Sequence, residues 1–152
     1  GTPQNYQEAV KWYKKAAEQG EPMGQFNLGL MYRLGLGTNQ DDQEAVKWYL
    51  LSAEQGDVDA QFNLAFMFKR GEGVEQSFEQ ALKYYRLSAE QGFAKSQRNL
   101  GMMYYDLDNI KQAKFYALKA LEINPDHGSS NDLLESLIYS DVSLLQTSPL
   151  IS

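Results

Sequence analysis

The chain has 152 residues, 43% hydrophobic and 22% charged, with 12 glycines and 4 prolines, a composition that excludes disorder as its main state. With 14 lysines and arginines against 20 aspartates and glutamates the net charge is −6, which repels a phosphate backbone and excludes nucleic acid as the expected partner. Cysteine is absent, so disulfides, thiolate metal sites and a cysteine nucleophile are excluded, and with no apolar run near the roughly 20 residues that cross a bilayer, direct membrane insertion is not expected.

The opening segment GTPQNYQEAV begins with Gly and carries neither a basic nor an apolar targeting stretch, which leaves the compartment open. Gly1 to Gln4 align with Gly37 to Gln40, so the chain opens inside a loop and reads as a piece of a longer protein whose first helix lacks a preceding partner. AVKWYKKAAEQG from Ala9 then recurs as AVKWYLLSAEQG from Ala45 and as ALKYYRLSAEQG from Ala81, a spacing of 36 residues. A second block keeps the register: QFNLGLMY from Gln25, QFNLAFMF from Gln61 and QRNLGMMY from Gln97. Residues 9–32 and 45–68 share 14 identities in 24 positions, far more than helical composition alone would give.

Apolar and small residues inside each block step by three and four, as in Ala45, Trp48, Tyr49, Ser52 and Ala53, so each repeat is predicted to be two helices. Gly20, Gly56 and Gly92 follow AEQ, where a left-handed cap ends a helix, and the pairs Gly35 and Gly37, then Gly71 and Gly73, mark longer hinges. Helices are predicted near 5–19, 23–34, 41–55, 59–70, 77–91, 95–106, 109–123 and 129–140, with no strand. Trp12, Trp48, Tyr84 and Tyr116 are expected to fill the space between successive pairs. Gly29, Ala65 and Gly101, facing Ala9, Ala45, Ala81 and Ala113, are expected to let helices approach closely. In the helix at 129–140, Leu133, Leu134, Leu137 and Ile138 are predicted to face inward. Leu144, Leu145, Leu150 and Ile151 of the tail are apolar without being periodic, and are expected to dock onto the chain's own groove or onto another copy, giving self-association through the chain ends.

The pattern AxxWYxxAAEQG, AQxNLGxMY and GxGV over residues 1–105 closely resembles the Sel-1-like repeat, a member of the tetratricopeptide superfamily. Beyond Tyr104 the glycine pair is replaced by DLDN, and Ala113 falls 32 residues after Ala81. From Gln97 on, Leu100, Gly101, Tyr104, Ala113, Ala120 and Pro125 resemble an ordinary tetratricopeptide repeat. The resemblance implies an all-α, right-handed superhelix. Residues 1–140 would form the repeat domain: a partial repeat at 1–20, repeats at about 21–56, 57–92 and 93–127, and a capping helix at 129–140, with a tail at 141–152.

The same resemblance implies a protein-interaction scaffold, or adaptor, whose concave groove is lined by the first helix of each pair. By motif position that groove holds Met23, Phe26, Leu30 and Arg33, then Phe62, Phe66, Lys69 and Arg70, then Lys95, Arg98, Met102 and Tyr105. Asn27, Asn63 and Asn99 recur beside it, where an amide could bond the backbone of an extended peptide. The competing reading bonds these asparagines to neighbouring helices and packs Phe26 and Phe62 between repeats. Since the groove residues include five cations and no acid, the expected partner is an acidic or carboxylate-bearing peptide with an apolar anchor.

Signals for chemistry are sparse. His127 is the single histidine and has no second ligand or base partner in the sequence. Asp41 and Asp42, like the cluster Asp106, Asp108 and Asn109, are expected to cap or charge helix starts rather than to bind calcium, whose loop needs ligands at further fixed positions. The GxG hinges lack the strand, Lys and Ser/Thr of a phosphate loop. Cysteine-rich members of the family are associated with penicillin-like compounds, but their cysteines and any acylating serine motif are missing here. No cofactor, no metal and no catalytic residue are expected. The alternative from another class is an enzyme, or a hydrolase-like enzyme's accessory domain, with its catalytic site not visible in this chain.

Overall fold

The computed structural model describes residues 3–106 and 110–123, together with Asp132 and Glu135. It is all-α, a helical-repeat solenoid, with α1 (Pro3–Glu18), α2 (Pro22–Leu34), α3 (Asp42–Glu54), α4 (Val58–Arg70), α5 (Phe78–Glu90), α6 (Ala94–Asp106) and α7 (Ile110–Ile123), and no strand among the described residues. The helix expected at 129–140 and the tail at 141–152 lie outside the described residues, Asp132 and Glu135 apart, as do His127, Asp108 and Asn109.

Local chemistry sets the helix ends. Asp41, Asp57 and Ser77 accept from the backbone N–H three residues on, at 3.1, 2.8 and 3.2 Å, and start α3, α4 and α5. Asp106 is the last residue of α6, where the predicted helix at 95–106 ends, and precedes α7. Gly35 and Gly71 close α2 and α4 in the left-handed region, their N–H groups turned onto the Met31 and Met67 carbonyls. Each hinge then returns to the helix it left, since Asp41 N–H donates to Tyr32 O at 2.8 Å and Ser77 N–H to Phe68 O at 2.9 Å, the same bond 36 residues later. Gly37 and Gly73, at φ 70° and 69°, lie so close to Tyr6 and Asp42 that a Cβ would run into those backbones.

The chain forms two compact units, residues 1–91 and 92–152. In the first, α2 packs on α3 and α4 on α5 within repeats, while α1 packs on α2 and α3 on α4 between them. Its core holds Leu28, Tyr49, Leu64, Met67 and Tyr85, all but removed from solvent. A Cβ on Gly29 would meet the Tyr49 ring at 2.8 Å, which is the close approach the small residue permits. A polar seam runs beside this core. Gln25 Nε2 donates to Ala17 O at 3.3 Å and Gln55 Nε2 to Gln25 Oε1 at 2.7 Å. One repeat on, Gln61 Nε2 donates to Ala53 O at 3.1 Å and Gln91 Nε2 to Gln61 Oε1 at 2.8 Å. Both buried glutamines are thereby satisfied, and each ties three helices or their ends together.

The aromatic series divides. Trp48 is buried with Leu28 and Ala17, against Tyr32, and Tyr84 stacks on Phe68 with centroids 5.9 Å apart. In the second unit, where α6 packs on α7, Tyr116 is half-buried and stacks on Tyr104 at 5.8 Å. Trp12, expected in the core, is instead 66% exposed. Its counterparts are covered by the helix that precedes them, α2 over Trp48 and α4 over Tyr84, and α1 has no such helix before it among the described residues.

Candidate partner-binding groove

On α2, Phe26, Leu30 and Arg33 are separated by four and three residues and share one face; Phe62, Phe66, Lys69 and Arg70 repeat that face on α4. Apart from the exposed Arg70, the other six are half-buried, a state between core and free surface. Met23, at the start of the same stripe, is fully exposed. Phe26 and Phe62 lean on Tyr49 and Tyr85 of the second helix of their own repeat, with centroids 5.7 and 5.9 Å apart, and both remain half-buried.

α2 and α4 meet across this face through Arg33. Its Nη1 donates to Asn63 Oδ1 at 2.8 Å, and its guanidinium lies over the Phe66 ring at 5.2 Å. Asn63 Nδ2 in turn donates to Asp59 O at 2.8 Å, so both ends of that amide are engaged within the protein, as the competing sequence reading had it. Asn27, one repeat earlier, is half-buried and carries no such bond. The Arg70 guanidinium also lies over the Phe66 ring, at 5.3 Å. The Tyr49 hydroxyl is buried beside Arg33. Its burial pushes its pKa from 10.0 up to about 12, a rise that the nearby positive charge of Arg33 opposes.

The sequence reading found five cations in the groove and no acid, and missed Glu72. Its Oε1 lies 2.9 Å from Arg70 Nε and its Oε2 3.9 Å from Arg33 Nη2. The signal was the left-handed Gly71, which turns the chain back so that Glu72 N–H reaches Met67 O at 3.0 Å and its side chain can face the end of α4. On α6 of the second unit, Lys95 and Met102 are exposed, while Arg98, Asn99 and Tyr105 are half-buried, with Arg98 Nε enclosed. Among the described residues no group of three or more acids and histidines could hold a metal ion, and no helix is long and apolar enough to cross a membrane.

The profile of the Sel1 repeat matches residues 1–21, 22–57 and 58–93, and that of the tetratricopeptide repeat matches residues 94–127. The chain belongs to the Sel1 repeat family. Sel1 repeats and their tetratricopeptide relatives generally mediate protein–protein interaction and are typically non-catalytic. Among solved Sel1 repeat structures, this chain is similar to c5321, a protective antigen of uropathogenic Escherichia coli, at 30% identity over 90% of the chain with a TM-score of 0.82. A Sel1 repeat protein from Oxalobacter formigenes matches at 32% identity over 88% of the chain with a TM-score of 0.76. The chain spans 30% and 54% of those two proteins' lengths. The first tetratricopeptide domain of Spaghetti (RPAP3), solved with the HSP90 peptide SRMEEVD, shares the fold at 16% identity over 93% of this chain and 96% of that one, with a TM-score of 0.55. No curated protein matches this Sel1 repeat chain.

Proposed function

We propose that the chain is a scaffold that holds an extended peptide of a partner protein against the α2 and α4 face, and that the peptide is acidic with an apolar anchor. The observation that carries this is the row of half-buried rings, Phe26, Phe62 and Phe66, flanked by Arg33, Lys69 and Arg70. Rings already held on one side lose little freedom on binding and offer apolar area at small entropic cost. The cations select the charge of what lies along them and speed its approach. That a tetratricopeptide domain of the same fold holds the acidic peptide SRMEEVD shows what such an architecture can accommodate. On α6 of the second unit, Lys95, Arg98, Asn99, Met102 and Tyr105 occupy the same motif positions and are proposed as that unit's own groove residues.

The test is a peptide array scored for charge and apolar content, followed by titration of the best binders at rising salt. Acidic peptides with one leucine or phenylalanine should be retained, with affinity falling as salt rises. Phe62→Ala and Arg33→Ala should each weaken binding while the circular dichroism spectrum is unchanged. Retention of basic peptides, or affinity untouched by both substitutions, would move the site off this face.

A further inference from the structure

A carboxylate already sits on the proposed groove. Glu72 Oε1 accepts from Arg70 Nε at 2.9 Å, its Oε2 lies 3.9 Å from Arg33 Nη2, and both guanidiniums lie over the Phe66 ring. Asn63 fixes Arg33 from the far side. The acid comes not from a helix but from the hinge between Gly71 and Gly73, and the matching position one repeat earlier is Leu36. Glu72 therefore shows which chemistry the pair of arginines holds. Resting on the reading of this face as a peptide groove, we propose that Arg33 and Arg70 form the seat for a partner's carboxylate, and that Glu72 occupies this seat in the free protein as an internal competitor which binding displaces.

Three features suit that exchange. The side chains of Arg70 and Glu72 keep 60 and 33% of their exposure and that of Arg33 22%, so solvent reaches the Arg70 pair and a competing carboxylate can replace Glu72 there. Both guanidiniums rest on the Phe66 ring, a contact that does not depend on Glu72 and keeps them near it when Glu72 leaves. Being tethered one residue beyond Gly71, Glu72 competes at a fixed effective concentration, which sets a threshold that a weakly acidic peptide does not pass. Only a ligand bringing further contacts, such as an apolar anchor against Phe26 or Phe62, gains enough to displace it. The acid thus tunes selectivity as well as affinity.

Fluorescence anisotropy on residues 1–152 tests this with a fluorescein-labelled heptapeptide that has one leucine and two terminal glutamates, beside a copy with glutamines and an amidated end. Glu72→Gln should bind the acidic peptide about two- to fivefold more tightly, the range of an exposed ion pair, and the neutral copy no better than the unaltered protein does. Glu72→Ala should repeat the gain, and Arg70→Met should weaken binding and cancel the gain when combined with Glu72→Gln. If Glu72→Gln binds no tighter while Arg33→Met still weakens binding, the competitor is overturned and the groove reading stands. If the acidic peptide binds neither the unaltered protein nor Glu72→Gln, or binds both arginine variants undiminished, the carboxylate seat itself is overturned.

Discussion

Trp12 and Trp48 stand 36 residues apart at the same place in two copies of one motif, yet Trp48 is 9% exposed and Trp12 66%. The difference lies in the helix before each: α2 brings Tyr32 and Leu28 against Trp48 and nothing comparable covers Trp12 among the described residues. Trp48→Ala should therefore lower unfolding stability by about 3 to 5 kcal/mol, the cost of losing a large buried ring and leaving a void. Trp12→Ala should change it by no more than about 0.5 kcal/mol. Urea unfolding of both variants checks this, and iodide should quench Trp12 fluorescence while sparing Trp48.

The glutamine seam makes a second prediction. Gln61 is buried, donates to Ala53 O and accepts from Gln91, so Gln61→Ala removes two hydrogen bonds and leaves a void, although Ala53 O keeps the Gly56 N–H and Gln91 keeps its bond to Gly56 O. A loss of about 1 to 3 kcal/mol is expected in urea unfolding. Gln76, whose bond to Lys69 O is exposed, serves as the control, and Gln76→Ala should cost about 0.5 kcal/mol or less.

The 36-residue period made the fold readable, because a helix pair that cannot cover its own face must stack on a neighbour, and that requirement is written into every copy. It even carried across the four-residue loss before α7: Tyr116, aligned with Tyr84 through the shortened loop, stacks on Tyr104 as Tyr84 does on Phe68. The period also misled. It gave Trp12 the burial of its counterparts, since a repeat pattern states what each position packs against only where the neighbour exists. The groove was half readable for a related reason. Arg33, Phe66 and Arg70 lie on helix faces that spacing alone brings to one side, whereas Glu72 reaches them through a hinge whose path depends on a left-handed Gly71. The partners of Asn63 lie on another helix and in its own preceding turn, contacts that no local spacing encodes.

A third prediction rests on Tyr49. Its ring packs on Phe26 and its hydroxyl is buried beside Arg33, so Tyr49→Phe should keep the packing and change stability at neutral pH by no more than about 1 kcal/mol. The pH dependence follows from the pKa, which lies near 10 in the unfolded chain and is pushed up to about 12 by burial in the fold. Between those values the folded protein holds a proton that the unfolded chain has released, so stability falls as pH rises from about 10 to about 12. Below about 10 the contribution is fully present. Urea midpoints measured from pH 9 to 12 should converge on a shallower slope in Tyr49→Phe than in the unaltered protein, and equal slopes would contradict the assignment.

The last prediction separates two reasons for a glycine. Gly56 and Gly73 both adopt positive φ, 97° and 69°, so an alanine at either position carries the strain of a left-handed backbone, about 1 kcal/mol. At Gly56 a Cβ would meet nothing within 4 Å, whereas at Gly73 it would strike the Asp42 backbone at the start of α3. That clash cannot be relieved by turning a side chain, because the obstructing atoms include the Asp42 carbonyl, and the hinge must move away from the preceding repeat. Gly73→Ala should thus cost clearly more than Gly56→Ala, by about 1 to 3 kcal/mol beyond the shared strain. Moving the hinge also moves Glu72, so Gly73→Ala should disturb its pairing with Arg33 and Arg70 while Gly56→Ala leaves that pairing intact. Thermal unfolding of the two variants measures the first difference, and arginine side-chain NMR of Arg33 and Arg70 measures the second.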